Sequence, residues 1–306
     1  MSSITIQYLS SSAADAKRLA SRLGIAAHEI ALHYFPDGEM RVTAGPATST
    51  TIIYASLDRP NDKLIAILFA AEALRRQGSK RLVLLAPYLC YMRQDTAFHE
   101  GEAISQKAVG QMIVNTVDRV ITVDAHLHRT PDIRVVFPGI DADNLSAMPA
   151  ITGALRAENI DPATVVVGPD AESRQWASYL AESLGLTCAV AQKARHGDQS
   201  VELRFANPSL FAGRPALITD DIVSSGGTLI ACAKALSAAG ATVVDAVVTH
   251  ALFPPELMVA LANVGIHSIR STHSVPHATN TFVLDDLFAS ALHREFGDTI
   301  LFEAIS

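Results

Sequence analysis

The stretch ALITDDIVSSGGTL (Ala216–Leu229) begins as an apolar, β-branched run and ends where an Ala- and Leu-rich segment of helical period starts. Two aspartates and a turn of Ser, Gly and Thr lie between these parts. This order predicts a buried strand over Ala216–Thr219, a turn, and a helix over Thr228–Ala239. Because open α/β sheets bind ligands at the carboxyl ends of their strands, the turn is a candidate ligand site.

The same alternation of strand and helix extends along most of the chain, which predicts βαβ units around mainly parallel sheets. Further strands are predicted at Thr51–Ala55, Arg81–Ala86, Arg119–Val123, Thr164–Val167, Cys188–Ala191 and Thr242–Val248. Further helices are predicted at Lys63–Gln77 and Ile104–Val117. With 306 residues the chain exceeds the usual size of one domain. Pro138, Gly139 and Pro149 interrupt the pattern, so we expect an α/β fold with two domains, residues 1–146 and 147–306.

Composition limits the kinds of partner. Hydrophobic residues make up 49% of the chain, but no apolar run approaches the ~20 residues of a membrane span. The N-terminus lacks the basic start and apolar block of a signal peptide, so we expect a cytoplasmic protein. A net charge of −7 argues against extended nucleic-acid or membrane surfaces. The three cysteines, Cys90, Cys188 and Cys232, are far apart and suggest neither a disulfide framework nor a zinc site.

The turn within Ala216–Leu229 offers two kinds of chemistry. Its small and hydroxyl-bearing residues are Ser224, Ser225, Gly226, Gly227 and Thr228. Flexible glycine backbone, hydroxyl donors and the amides of a helix start suit a phosphate monoester. Asp220 and Asp221 would repel that anion and suit vicinal hydroxyls or a cation instead. A sugar phosphate has both kinds of group, whereas the alternative is an ordinary turn with Ser as the N-cap.

The stretch resembles the ribose-phosphate loop of type I phosphoribosyltransferases and of ribose-phosphate diphosphokinases, the phosphoribosyl pyrophosphate (PRPP) synthetases. Further segments resemble the diphosphokinases in the expected order: FPDGEMRV (Phe35–Val42), APYLCYMRQD (Ala86–Asp95), VITVDAH (Val120–His126), VVGPDA (Val166–Ala171) and QKARHGD (Gln192–Asp198). The resemblance covers nearly the whole chain. It implies two phosphoribosyltransferase-like α/β domains, with ATP-binding motifs in the first and the ribose 5-phosphate loop in the second.

The resemblance implies that ATP transfers its β,γ-diphosphoryl group to the 1-hydroxyl of ribose 5-phosphate, giving PRPP and AMP. Lys193 and Arg195 would lie on a mobile loop and act on the reacting phosphates as a point charge and a fork of donors. The alternative is that both are solvated surface cations. His126 and Asp170 would be Mg²⁺ ligands, although His is an unusual ligand for Mg²⁺. No motif assigns a role to His128, which we expect to be polar loop surface.

The residues implied to bind ATP are Phe35, Asp37, Gly38, Glu39, Arg93, Gln94 and Asp95. Asp37 and Glu39 would approach the adenine from a neighbouring subunit, which implies a homo-oligomer with a shared ATP site. A carboxylate accepts from the exocyclic amine of adenine but meets an acceptor at that position of guanine, so Asp37 offers a reason for purine choice. Without the resemblance, D-G-E is more often a turn with solvated charges.

The chain departs from the commoner family pattern at several positions. Ser224 stands where most diphosphokinases have a third loop Asp, and Lys193-Ala194-Arg195 replaces K-R-R. The loop is closer to the archaeal-type branch, which is described as less dependent on phosphate activation. Two other functions stay open: a non-catalytic regulatory subunit of the PRPP-synthetase type, and a phosphoribosyltransferase that consumes PRPP.

Overall fold

The structure is a computed structural model that describes residues 4–196 and 200–296, without the side chains of residues 193–196 and 200–202. Its strands are, in chain order, β1 (Ile4–Tyr8), β2 (Ala26–Glu29), β3 (Ala31–Tyr34), β4 (Met40–Thr43), β5 (Thr50–Tyr54), β6 (Arg81–Ala86), β7 (Arg119–Val123), β8 (Asp141–Leu145), β9 (Val165–Gly168), β10 (Thr187–Val190), β11 (Gln192–His196), β12 (Ser200–Arg204), β13 (Ala216–Val223), β14 (Val244–Ala251), β15 (Ile266–Thr272) and β16 (Asn280–Phe282).

The α-helices are α1 (Ala13–Leu23), α2 (Pro60–Arg76), α3 (Ser105–Val114), α4 (Ile133–Val136), α5 (Met148–Ala157), α6 (Arg174–Leu184), α7 (Gly227–Ala238), α8 (Leu257–Asn263) and α9 (Asp285–Leu292). Short 3₁₀ turns occur at Ser10–Ser12, Pro208–Phe211 and His293–Glu295. None of the helices in the described part of the chain combines the length and the hydropathy that crossing a membrane requires.

The chain forms two compact units. The first contains the described residues up to Leu145 together with those from Leu284 onward, and the second is Ser146–Val283. The division after Leu145 lies next to the predicted boundary, but the described residues after Val283 join the first unit, unlike the predicted range 147–306. Ion pairs explain this return: Glu295 bonds the guanidinium of Arg119 at 2.8 Å, and the side chains of both residues are almost fully buried, at 4% and 2% exposed.

Each unit is built on a six-stranded parallel sheet, which confirms the predicted α/β class. The strand order is β2-β1-β5-β6-β7-β8 in the first unit and β10-β9-β13-β14-β15-β16 in the second. The central strands are buried along their length, as in β6 (RLVLLA) and β9 (VVVG). Continuous apolar strands of this kind are expected where helices cover both faces of a parallel sheet.

An antiparallel hairpin leaves each sheet at the same topological position. The hairpin β3–β4 follows β2 and precedes β5, and the hairpin β11–β12 follows β10 and precedes β13. In the order of the chain, both sheets therefore have the arrangement 2-1-3-4-5-6 once the hairpins are set aside. The two units share one plan, with β5 equivalent to β13 and α2 equivalent to α7.

The predicted elements are close to the observed ones, with one difference that affects the site. Strands β6 and β7 have the predicted bounds, and α7 begins one residue before the predicted Thr228. Strand β13 continues to Val223 instead of ending at Thr219.

Candidate active site

The second sheet has its topological switch point between β9 and β13. From β9 the chain turns to β10 on one side and then returns to β13 on the other side. Open α/β sheets bind ligands in the crevice that such a reversal creates outside the carboxyl ends of the strands. The segments that follow β9 and β13 are Pro169–Ser173 and Ser224–Gly226, and both carry predicted site residues.

Asp220 and Asp221 lie inside β13, not in the turn after it. Backbone pairing with β14 continues through Asp220, Ile222 and Val223, whereas pairing with β9 reaches only Ile218. The last residues of β13 therefore extend beyond the end of β9. The two aspartates contact each other, since Asp221 N–H donates to Asp220 Oδ1 at 3.1 Å. Asp221 is buried and Asp220 is partly buried.

The turn from β13 into α7 leaves room beside the helix start. Gly226 is the N-cap with φ +75°, and a Cβ there would lie 2.6 Å from Leu257 Cδ2. At Gly227 the nearest described atom to a Cβ would be Ser225 Oγ, at 3.8 Å. The first backbone amides of a helix have no partner within the helix, and here the N-cap makes no side-chain hydrogen bond. Exposed hydroxyls of Ser225 and Thr228 lie beside these amides, so the turn has the donors that a phosphate needs.

Asp170 closes the turn that leads from β9 into α6. Its Oδ1 accepts hydrogen bonds from the backbone N–H groups of Glu172 and Ser173, each at 3.1 Å. Ser173 Oγ donates to the carbonyl oxygen of Asp170 at 2.8 Å. A carboxylate offers about four lone-pair positions, so this structural role is compatible with holding a cation.

The carboxylates of the second unit are electrostatically crowded. Burial, followed by the negative charges of Asp221 and Asp170, raises the pKa of Asp220 well above its ordinary value. Repulsion among neighbouring carboxylates favours either a proton or a bound cation. Mg²⁺ is held in proteins by carboxylate oxygens, so the donor set fits the predicted metal. In the second unit, Asp220 lies near the predicted ligand Asp170, and both carboxylates suit Mg²⁺.

The hairpin β11–β12 carries the predicted catalytic residues. Lys193 and Arg195 lie on β11 and pair through the backbone with Leu203 and Val201. The structure therefore has a strand where the resemblance implied a loop, because β12 supplies backbone partners. The side chains of Lys193 and Arg195 are outside the described part of the structure. Strand β12 packs against α7, whose first turn forms the candidate phosphate site.

In the first unit, the segment after β6 is largely buried up to Met92, and the next two residues, Arg93 and Gln94, are exposed. Leu89, Cys90 and Met92 are buried, and Tyr91 has φ +62°. The side chains of Arg93 and Gln94 are exposed. These two residues are thus presented to solvent by an anchored loop.

Asp95 has a different environment from its two neighbours. Its side chain is buried, and its Oδ1 accepts from Arg129 Nη1 at 2.9 Å. The Arg129 guanidinium also lies 5.5 Å from the ring centroid of Phe98. Asp95 therefore ties its loop to the segment after β7. We expect it to position the predicted ATP-binding residues instead of contacting a nucleotide.

His126 is paired with His128, in contrast to the expectation that His128 is polar loop surface. His128 Nε2 and His126 Nδ1 are 2.9 Å apart, so one ring nitrogen donates to the other. The two rings are almost perpendicular, with centroids 3.4 Å apart. The spacing of two residues was the sequence signal for a shared face, and the contact makes His128 a residue that orients the predicted ligand His126.

The predicted adenine-binding segment is the tip of the hairpin β3–β4. Phe35 N–H donates to the Glu39 carbonyl at 2.8 Å, and Glu39 N–H donates to Asp37 Oδ1 at 3.2 Å. Gly38 adopts φ +90°, which glycine allows without strain. Phe35, Asp37, Gly38 and Glu39 are all exposed, so they are available to a ligand or another chain.

Comparison with known proteins identifies both halves of the chain. Residues 4–116 match the family described as the N-terminal domain of ribose phosphate pyrophosphokinase, and residues 147–254 match the phosphoribosyl transferase domain. The ribose-phosphate pyrophosphokinase of Methanopyrus kandleri is 31% identical over 264 residues, covering 85% of this chain and 89% of that protein. Ribose-phosphate pyrophosphokinase 2 of Archaeoglobus fulgidus is 32% identical over 274 residues, covering 90% and 94%.

A solved structure has the same fold over almost the whole chain. The crystal structure of phosphoribosylpyrophosphate synthetase from Mycobacterium smegmatis superposes with a TM-score of 0.82 at 24% identity. It covers 96% of this chain and 98% of that chain. The similarity establishes the fold of both units.

Proposed function

Because the chain belongs to the ribose-phosphate pyrophosphokinase family, we propose that it transfers a diphosphoryl group from ATP to ribose 5-phosphate, giving PRPP and AMP. The observation that carries the proposal is the turn from β13 into α7, where backbone amides, hydroxyls and an open space beside Gly227 follow two aspartates. This arrangement suits a ligand that has both a phosphate and hydroxyl groups.

Ribose 5-phosphate would bind with its phosphate at the start of α7. Backbone amides of the first turn and the hydroxyls of Ser224, Ser225 and Thr228 would donate to the phosphate oxygens. The carboxylates at the end of β13 would accept from sugar hydroxyls. Asp220 and Asp221 are neighbours in contact, so we expect them to accept from vicinal hydroxyls of the sugar.

Mg²⁺ would be held in the second unit by Asp170 with the carboxylates of β13. The crowding that raises the pKa of Asp220 supports this, since a cation would relieve the repulsion. A bound Mg²⁺ ion would neutralise charge on the phosphates during the transfer. In the first unit His126 stays a proposed ligand, and its contact with His128 would fix the ring orientation.

Lys193 and Arg195 are proposed to stabilise the transferring group, on the basis of the family resemblance. The hairpin supports this proposal by linking their strand, through β12, to the helix that would hold the sugar phosphate. We expect Lys193→Ala to lower kcat at least ~100-fold with little change in the KM for ATP. Lys234→Ala, an exposed lysine on α7, is the matched control and should be fully active. Near-normal turnover of Lys193→Ala would remove Lys193 from the mechanism.

ATP would be bound by Arg93, Gln94 and the hairpin tip of a neighbouring subunit. Exposure of Phe35, Asp37 and Glu39 supports a role between chains, because the described contacts of this tip are within its own hairpin. Asp37 would accept from the adenine amine and disfavour guanine. If it does, Asp37→Asn should narrow the preference for ATP over GTP, since an amide can also donate.

One incubation tests the function. With ATP, Mg²⁺ and ribose 5-phosphate, a diphosphokinase forms AMP and PRPP in equal amounts. A regulatory subunit would form neither, and a phosphoribosyltransferase would consume added PRPP when a base is supplied. Omitting inorganic phosphate tests the similarity to the archaeal-type branch, for which activity without phosphate is expected.

A further inference from the structure

The segment that follows β14 lies along the turn from β13 into α7. Leu252 N–H donates to the carbonyl oxygen of Val223, the last residue of β13, at 2.8 Å. Leu257 packs on the N-cap of α7, since a Cβ at Gly226 would lie 2.6 Å from Leu257 Cδ2. Residues 252–257, here called the wall segment, therefore contact the turn both at its start and at the N-cap.

Two consecutive glycines make the conformation of this turn depend on its neighbours. Gly226 has φ +75° and makes no side-chain cap hydrogen bond, and Gly227 begins the helix. Glycine backbone has more conformational freedom than that of any other residue. A phosphate binds most tightly to amides that are already in place, because ordering a loop on binding reduces the affinity. The wall segment can thus influence phosphate binding without touching the phosphate.

The wall segment is in turn held by His277, which lies between β15 and β16. His277 Nε2 is 3.1 Å from the carbonyl oxygen of Phe253. The rings of these two residues have centroids 4.4 Å apart and an interplanar angle of 62°. Phe253 is only 3% exposed. The imidazole therefore contacts both the backbone and the buried side chain of Phe253.

Hydrogen bonds determine which ring nitrogen of His277 carries the proton. Thr279 N–H donates to Nδ1 at 3.2 Å, and Thr279 Oγ1 lies 2.8 Å from the same nitrogen. Because a backbone N–H can only donate, Nδ1 is an acceptor. In a neutral imidazole Nε2 then carries the hydrogen and donates it to the Phe253 carbonyl. One neutral ring thus joins its own loop to the wall segment.

The loop that carries His277 is closed by other hydrogen bonds. Asn280 Nδ2 donates to the Val275 carbonyl at 2.9 Å. Ser271 Oγ donates to Asn280 Oδ1 at 2.9 Å and ties the loop to the end of β15. Neither bond involves the Nε2 atom of His277. The contact of Nε2 with Phe253 is therefore not needed to close the loop, and its effect falls on the wall segment.

On the basis of the proposed function, we propose that His277 is a positioning residue for the binding of ribose 5-phosphate. It holds the wall segment through Phe253, and the wall segment holds the turn before α7 through Leu257 and Leu252. Loss of the Nε2 hydrogen bond should loosen the turn and weaken the binding of the sugar phosphate. Binding of ATP, which we place on loops of the first unit, should not change.

Two substitutions separate the functions of the two ring nitrogens. Asparagine offers an acceptor near the position of Nδ1 but is too short to reach Phe253, whereas glutamine offers an amide N–H near the position of Nε2. His277→Asn should therefore keep the contact with Thr279 and lose the wall segment, and His277→Gln should keep the wall segment. His267→Asn on β15 is the matched control, because His267 is exposed and its Nδ1 contacts Asp245 at 3.1 Å.

Hydrogen exchange of the ligand-free protein tests the positioning without an activity measurement. The reporters are the amides of Leu252 and Ile230, which donate to the carbonyl oxygens of Val223 and Gly226. In His277→Asn we expect peptides that contain them to exchange roughly fivefold faster than in the wild type, and we expect little change in His277→Gln and His267→Asn. Wild-type exchange in His277→Asn, or equal acceleration in all three variants, would overturn the proposal.

Steady-state kinetics test the consequence for the substrate. His277→Asn should raise the KM for ribose 5-phosphate roughly 3- to 10-fold, with kcat and the KM for ATP unchanged, and His277→Gln should restore the wild-type value. An unchanged KM for ribose 5-phosphate, or equal changes in both KM values, would overturn the positioning role. A wild-type protein that makes no PRPP would overturn the proposed function and with it the role in sugar-phosphate binding, whereas the exchange result would stand.

Discussion

Replacing Gly227 with alanine should affect the stability of the turn before α7 and the binding of ribose 5-phosphate at that turn in opposite directions. A Cβ at Gly227 would have Ser225 Oγ as its nearest described neighbour, at 3.8 Å. The folded chain therefore has space for the methyl group. Alanine in place of glycine within a helix stabilises it by up to about 1 kcal/mol. We expect the melting temperature of Gly227→Ala to equal or exceed that of the wild type.

Binding of ribose 5-phosphate should change in the opposite direction. A phosphate oxygen must approach a backbone nitrogen to about 2.9 Å to accept a hydrogen bond, and the methyl group would stand in the open space beside the helix start. Loss of one hydrogen bond to a charged group costs about 1.5–3 kcal/mol. The KM for ribose 5-phosphate should therefore rise roughly 10- to 150-fold, whereas the KM for ATP should change little.

Steady-state kinetics and thermal melts of three variants complete the test. Gly153→Ala makes the same chemical change in α5, where a Cβ at Gly153 would meet no described neighbour within 4 Å. This control should leave both KM values unchanged. Gly226→Ala should instead lose about 1–2 kcal/mol of stability, because its φ is +75°. An unchanged sugar-phosphate KM in Gly227→Ala would refute phosphate binding at this turn.

Three further predictions concern the two units separately. Arg129→Ala should raise the KM for ATP several-fold by releasing Asp95, and steady-state kinetics with an unchanged ATP KM would contradict the positioning role. Glu295→Gln should lower the free energy of unfolding by roughly 3 kcal/mol, because Arg119 loses one buried partner. Although burial opposes the shift, pairing with arginines lowers the pKa of Glu295. The stability that ionised Glu295 contributes is therefore present above about pH 4 and lost as the pH falls below it. Urea melts of the wild type and the variant should converge at this acidic pH. The pKa of Asp220 is raised, so the native state loses stability as the pH rises through that pKa and the side chain becomes charged. Asp220→Asn removes this charge and should raise the melting temperature in EDTA and reduce the stabilisation by Mg²⁺. A lower melting temperature of the variant in EDTA would contradict this reasoning.

The strands that the sequence predicts best are those buried on both faces. β6 and β7 have continuous apolar runs, which local pattern identifies directly. β8 (DADNL) was missed because it is an edge strand with partly exposed, mostly polar residues. The end of β13 was misplaced since aspartate is uncommon in strands. Pairing with β14 keeps Asp220 extended, and that partner lies beyond the reach of a local pattern.

Contacts between distant parts of the sequence account for most of what the motifs did not reveal. The return of α9 to the first unit depends on Arg18 pairing with Asp285 and on Glu295 reaching Arg119. No periodicity or motif records such pairs. Arg129 was missed for the same reason, because its partner Asp95 is on the loop after another strand. The ordered motifs predicted which loops carry site residues, but the division of roles within a loop, such as exposed Arg93 beside buried Asp95, required the fold.

The two units have one topology, but the residues at the equivalent switch points differ, and this difference supports the placement of the sugar phosphate. In the first unit the helix after the third strand is α2, whose N-cap Arg59 precedes Pro60. Proline has no amide N–H to offer an anion. Lys63 Nζ binds Asp58 Oδ1 at 2.7 Å and the Ser56 carbonyl at 2.8 Å, so protein groups satisfy one another at this position. In the second unit the equivalent helix begins at Gly227, directly after the N-cap Gly226, with open space beside it. Since a shared fold does not imply a shared site, the phosphate assignment applies to the second unit alone, and the first unit presents its predicted nucleotide-binding residues on other loops.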